Sequence, residues 1–270
     1  MTKAPPHRTR ATAPWRRSVA RSVAVGGVVA AGVALLRARS LRWGATDEEL
    51  NIALPGDELV PDADLTATRA VTVEAGADAV WPWIAQLGQG RGGFYSYDFL
   101  ENLAGLDIHS AERVVPEWQA IEVGDQVKFH PEGGMTAAVV EPERVLVLRG
   151  GMPGTPPFDF AWAFVVRGQP DGTTRLVVRE RYRYLRWWGP LLVEPVGFIS
   201  LVMSRRMLRG IKERAERAVV ATTPTSGASE AATRIRRRVI ARGPARGEHA
   251  AARSRPWRMS AQFRASTAGA

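Results

Sequence analysis

The most strongly patterned stretch of the chain runs from Glu194 to Val219. Spaced at 100° per residue, Val196, Ser200, Met203, Met207, Ile211, Ala215 and Ala218 fall on one stripe, with Arg205, Arg209, Lys212, Glu213 and Glu216 opposite. This predicts an amphipathic helix roughly 40 Å long, with Pro195 in its first turn, where no backbone donor is needed. Phe198, Ile199, Leu201 and Val202 make its first two turns apolar all round, so other elements must wrap them. The inner stripe uses Ser, Ala and Met where a tight core would use Leu and Ile. Small and pliable residues there leave room for an internal void.

Upstream the pattern is strand and turn. Strands are predicted over Thr68–Val73, Gln126–Phe129, Thr136–Glu141, Arg144–Arg149, Phe158–Arg167 and Thr174–Leu185. Pro142-Glu143 and Pro170-Asp171-Gly172 are hairpin turns, so the sheet is antiparallel. Short helices are predicted over Asp78–Leu87, kinked by Pro82, and over Tyr97–Leu103. Arg186 to Pro190 breaks the chain before the long helix, and Leu54-Pro55-Gly56-Asp57 marks a turn ahead of the first strand. Gly88 to Gly93 spells G-x-G-x-x-G, but a helix precedes it and no parallel-sheet pattern follows. It reads as a turn and not as a dinucleotide site.

The two ends differ from the middle. Residues 1–17 are rich in Pro, Arg and Thr, and residues 221–270 in Ala, Ser, Thr and Arg; both read as disordered. The uncharged run Ser22–Leu36 is bracketed by arginines and, extended to 18–37 with Arg21 snorkelling, is long enough for a transmembrane helix. No small-residue cleavage site follows it, which argues against a signal peptide, and the absence of a polar face argues against a core helix. The greater positive charge before the run favours an N-terminus on the inner side. The folded domain is then 44–220.

Charge follows the same division. The net +10 comes from nine Lys/Arg and no acid in 1–43, and ten Arg against two acids in 221–270. The 44–220 segment holds 18 basic and 25 acidic residues, so nucleic acid is not an expected ligand of the domain. The chain has no Cys, which excludes disulfides, thiolate nucleophiles and Cys-held metals. No cofactor is expected, and nothing in the pattern points to a protein partner.

Candidate chemistry comes from strand parity. In the last strand Leu176, Val178, Glu180, Tyr182 and Tyr184 share one face and Arg175, Arg179, Arg181 and Arg183 the other. The apolar-aromatic face meets the helix, which brings Glu180 indoors, either as an acid/base or ligand anchor, or paired with an interior Arg or Tyr. Phe160, Trp162 and Phe164 share a face that suits a cavity wall or a plain core. Tyr97, Asp98 and His109 lie in the polar-aromatic stretch Phe94–Trp118, where a carboxylate could hold the imidazole, or His109 could simply tether the loop. His130 reads as an exposed turn residue. No metal-ligand spacing, nucleophile elbow or phosphate loop is present.

Several stretches together resemble the START-like superfamily of lipid-transfer domains, plant pathogenesis-related proteins and polyketide cyclases, in particular an uncharacterised bacterial subgroup. They are Val80-Trp81-Pro82-Trp83-Ile84, Arg91 to Asp98, Glu101-Asn102, Gly105 to Glu112, Val123-Gly124-Asp125, Thr174-Arg175-Leu176, Arg179 and Gly210-Ile211-Lys212. The resemblance covers roughly residues 50–220. It implies an α+β helix-grip fold, with a curved antiparallel sheet around a long C-terminal helix and an apolar cavity between them. It implies no single chemistry. The expectation is therefore a membrane-tethered domain that binds a small hydrophobic or amphipathic molecule, lipid or polyketide-like, with Met203, Met207 and the residues named above around it. Two alternatives stand beside it: a cyclase or dehydratase using Glu180 or His109 as acid/base, and a structural domain whose cavity is filled.

Overall fold

A computed structural model describes residues 14–130, 133–150 and 156–222. Residues 1–13 and 223–270, and with them most of both tails, lie outside it, as do the side chains of Val196 and Phe198. The chain is α+β. It runs α1 (Pro14–Leu41), α2 (Asp47–Asn51), β1 (Leu65–Val73), α3 (Ala77–Ala85), α4 (Asp98–Leu103), β2 (Gln126–His130), β3 (Gly133–Glu141), β4 (Val145–Gly150), β5 (Phe158–Gly168), β6 (Thr174–Tyr184) and α5 (Gly189–Thr222).

All six strands form one antiparallel sheet in the order β1-β6-β5-β4-β3-β2. From β2 to β6 consecutive strands pair as a meander, with the marked turns at Pro142-Glu143 and Pro170-Asp171-Gly172 joining β3 to β4 and β5 to β6, and β1 closes on the last strand. α3 and α5 pack on one face. Alternation decides what they cover: Leu146, Leu148, Phe164, Leu176 and Val178 point into a core completed by Trp83, Ile84, Met207, Leu208 and Ile211. This is the helix-grip arrangement.

The helix begins five residues earlier than its polar–apolar stripe suggests. Gly189-Pro190, read as a break, is its first turn, because a proline there forfeits no hydrogen bond. Pro195 accordingly falls within the helix.

The segment before β1 does more than link. Thr46 and Glu49 form a reciprocal capping box at the start of α2, each side chain bonding the other's backbone N–H. Leu54, with Ile52 and Leu59 beside it, then packs on Ala70, Ala163, Val165 and Val177, covering the sheet face away from α5. The arginines of β6 explain its acidity. Arg175 pairs with Glu49 at 2.7 Å, and Arg179 reaches Asp57 at 2.6 Å and the Glu49 and Ile52 carbonyls. Arg181 bonds the carbonyls of Val60 and Pro61.

α1 includes the uncharged run, and the side chains of Val25, Val28, Val29, Val33, Leu35 and Leu36 are exposed. It is joined to α5 by Arg37, which donates to Glu194 from Nε at 2.8 Å and from Nη2. Among the described residues no helix is long and apolar enough to cross a membrane.

Candidate functional site: a cavity beneath the long helix

Between α4, the loop that follows it, the inner face of the sheet and the middle of α5 lies a cavity of about 630 Å³. Its walls are Phe94, Phe129 and Trp162 from the sheet side, Leu100, Leu106 and Ile108 from α4 and its loop, and Ile199, Met203 and Met207 from α5. The three aromatic rings form a mutually tilted cluster, with centroids 5.6 to 6.2 Å apart. Ser96, Ser200, Ser204 and Glu101 are its polar lining among the described residues.

Local chemistry fixes the α4 wall in place. The Asp98 carboxylate accepts from the Ser110 N–H at 2.7 Å and hydroxyl at 2.6 Å, tying the start of α4 to the far end of its loop. Asn102 brackets Ile108, accepting from its N–H at 2.6 Å and donating to its carbonyl at 2.9 Å, which turns Ile108 inward. Ser96 donates to the Met203 carbonyl at 3.0 Å and so joins this wall to α5. The helix comes this close because residue 210 is glycine: a Cβ there would lie 2.3 Å from the Tyr95 carbonyl oxygen. Arg214, one turn on, is buried over the Tyr95 ring and bonds the Ala111 carbonyl and Glu112.

Two buried glutamates flank the helix in different ways. Glu180, 3 % exposed, faces α5 as parity requires and is fully engaged. Arg69 of β1 donates to it at 2.6 Å, Ser200 at 2.8 Å and Ser204 at 2.9 Å, and the Tyr182 hydroxyl stands 3.4 Å away. Arg69 itself is 1 % exposed and also donates to the Ser40 carbonyl. Burial, with the adjacent Glu180 charge, pushes the Tyr182 hydroxyl well above the ordinary tyrosine range. Glu180 thus takes the interior-pairing role, and its serine donors also line the cavity.

Glu101 has no such company. It is the one buried residue of α4 and 7 % exposed, and its Oε2 has no hydrogen-bond partner among the described residues. Burial, followed by the charge of Asp98, pushes its carboxyl up to about 7. The neighbouring Phe99 and Leu103 are exposed, so α4 turns an acid inward and apolar groups outward.

The residues expected at the site divide into three groups. Trp162, Met203 and Met207 line the cavity. Phe164 packs behind Trp162 at 4.7 Å, and Phe160 stacks on Tyr182 at 4.3 Å, extending the same wall toward Glu180. Tyr97, Asp98 and His109 stand apart from it. Tyr97 is 36 % exposed beside Phe99, Asp98 is the tether to Ser110, and His109 is exposed 3.2 Å from Asp107. Glu180 and His109 do not converge on one point of the cavity.

Two participants escaped the sequence reading. Arg69 carried a signal, since it alternates with Ala67, Val71 and Val73 on a strand whose other inward positions are apolar. Glu101 carried none, because an acid in a six-residue helix ordinarily faces water. Among the described residues no cluster of three or more His, Cys, Asp or Glu is placed to hold a metal ion.

No family model matches the chain, and no curated protein matches it. Solved structures do. The Zhui aromatase/cyclase from a Streptomyces species is 16 % identical with a TM-score of 0.35, over 60 % of this chain and 99 % of that one. Norcoclaurine synthase from Thalictrum flavum, solved with dopamine and hydroxybenzaldehyde, is 14 % identical with a TM-score of 0.36, over 64 % and 97 %. A hypothetical protein from Helicobacter pylori is 12 % identical with a TM-score of 0.38, over 61 % and 95 %. This chain's own strand order and long C-terminal helix give the helix-grip arrangement that the sequence resemblance implied.

Proposed function

We propose that this domain binds one small hydrophobic or amphipathic molecule, of lipid or polyketide-like character, in the cavity beneath α5. The observation that carries the reading is the cavity itself. About 630 Å³ lies between packed elements, walled by aromatic and aliphatic groups with few polar ones, which is the make-up of a small-molecule site. Thioethers at Met203 and Met207 give that wall compliance toward ligand shape. A filled structural core does not fit a space of this size. The acid–base alternative rests on Glu180 or His109 as its proton-exchanging group, and neither is free beside the ligand. Glu180 is engaged by Arg69 and two serines, and His109 lies outside the cavity.

Nile red titration of the purified chain tests this, with native mass spectrometry of material purified without detergent. Saturable binding of about one probe per chain, or a co-purifying apolar molecule, supports the reading. No binding by a folded and ligand-free protein overturns it.

We further propose that α1 holds the domain at a membrane. The valines and leucines of its uncharged run are exposed among the described residues, and arginines bracket the run. Deleting residues 18–36 should move the full-length protein from the membrane to the soluble fraction. An unchanged distribution removes the anchor.

A further inference from the structure

Among the described residues Glu101 is the only ionisable side chain that lines the cavity, and no Lys, Arg or His lines it. Its carboxyl is buried without a hydrogen-bond partner at Oε2. The same cavity carries three aromatic rings, Phe94, Phe129 and Trp162, whose π-faces attract cations in a desolvated setting. The other buried carboxylate nearby, Glu180, is already neutralised by Arg69 and offers no net charge. An anionic ligand would find no counter-charge in such a pocket and an acid beside it. A neutral ligand could hydrogen-bond to Glu101 or the lining serines but would leave the carboxylate charge unmatched. A cationic ligand would meet a carboxylate and an aromatic wall at once.

We propose that the cavity selects apolar molecules carrying a basic nitrogen, with Glu101 as the counter-ion and the aromatic cluster as the seat of the apolar body. The inference rests on the ligand-binding reading above and names its ligand class. Oε2 of Glu101, without a partner among the described residues, becomes partnered on binding, forming a charge-assisted hydrogen bond of the stronger kind. Because the cation favours the ionised carboxylate, binding releases a proton in the pH range where the empty site is protonated.

Three matched probes test the proposal: 2-naphthylmethylamine, 2-naphthylmethanol and 2-naphthoic acid, each displacing Nile red from the full chain. The amine is expected to bind at least tenfold tighter than the alcohol near pH 8, with the acid weakest. The amine's advantage should shrink several-fold on going down to about pH 5.5, where the carboxyl is protonated. Calorimetry in buffers of different ionisation enthalpy should show proton release near pH 6.5 for the amine and none for the alcohol. Glu101→Gln should bring the amine-to-alcohol ratio to about one. Wild-type pH dependence and proton release stand as evidence even if that variant folds poorly. Equal displacement by amine and alcohol, tightest binding by the acid, or an amine preference that survives Glu101→Gln would each overturn the proposal while leaving the cavity reading intact. Failure of Nile red and all three probes to bind would overturn both.

Discussion

Glu180 and Glu101 are both buried beside α5, yet they sit in opposite circumstances. Glu180 has a guanidinium and two hydroxyls aimed at it, so its charge is matched inside the protein. Glu101 feels the charge of Asp98 and has an oxygen with no partner among the described residues. Burial alone therefore says little about what a carboxylate is for. A fully partnered one holds elements together, here β1, β6 and α5; an unpartnered one on a cavity wall is left for something that arrives from outside.

The sharpest way to break that comparison is to remove the Glu180 charge. Glu180→Gln strands the Arg69 guanidinium in the core, and the expected loss is about 3–5 kcal/mol in urea unfolding. Replacing the pair together, Arg69→Met with Glu180→Leu, should recover most of it, because neither charge is then left alone. A loss below about 1 kcal/mol for Glu180→Gln would mean that the pair is not the structural clasp described here.

The cavity wall yields the next largest effects. Met207 is 2 % exposed and closely packed, so Met207→Trp should overpack and cost about 1–3 kcal/mol. Met203 is only half-buried and faces the open volume. Met203→Trp should therefore change stability by less than about 1 kcal/mol while abolishing Nile red binding. Equal destabilisation by the two substitutions would show that the space near Met203 collapses and is not held open.

Glu101 itself should be slightly harmful to the empty protein, and the sign follows from linkage. Its folded carboxyl is raised to about 7 while the unfolded chain titrates near the ordinary glutamate value, so between those values the folded state holds the extra proton. Stability from this group is therefore lost as pH rises from about 4.5 toward 7 and stays low above that. Glu101→Gln is expected to stabilise the ligand-free chain by about 1–2 kcal/mol near pH 8, with the difference vanishing near pH 5. Thermal melts of both proteins at the two pH values decide it. A variant less stable than wild type at pH 8 would point to an unseen partner for Glu101.

Much of this was legible beforehand, and the reasons are specific. Period-two alternation in β5 and β6 puts Trp162, Phe164, Glu180 and Tyr182 on the inner face, and the register pairs bear it out: Trp162 lies opposite Glu180 and Phe160 opposite Tyr182. The Ser and Met stripe of α5 marks the void because those residues cannot fill it. What parity cannot supply is partner identity. That Arg69 meets Glu180 depends on β1 joining β6, a pairing 111 residues apart in sequence. The inward turn of Glu101 depends on the Asp98–Ser110 and Asn102–Ile108 ties, which hold α4 against its own amphipathic preference. The cover over the back of the sheet was missed because Leu54 to Asp57 reads locally as a turn. Its acids have meaning only opposite the arginines of β6.

The smallest expected effect belongs to His109, and its smallness is informative. Carboxylates on either side of it in the sequence suggested an imidazole held for proton transfer, but the folded loop leaves His109 and Asp107 both exposed, 3.2 Å apart. An ion pair in that setting contributes within about 1 kcal/mol and is screened by salt. The neighbour that does hold the loop is Ser110, through Asp98, and Ile108 is the residue that turns toward the cavity. His109→Ala should therefore leave stability within about 0.5 kcal/mol of wild type and Nile red affinity unchanged, whereas Ser110→Ala, which cuts the tether, should weaken both. If His109→Ala instead reduced probe binding tenfold or more with stability intact, the imidazole would have to swing into the cavity when a ligand is present. The contrast between one partnered and one waiting acid would then need a third titrating group.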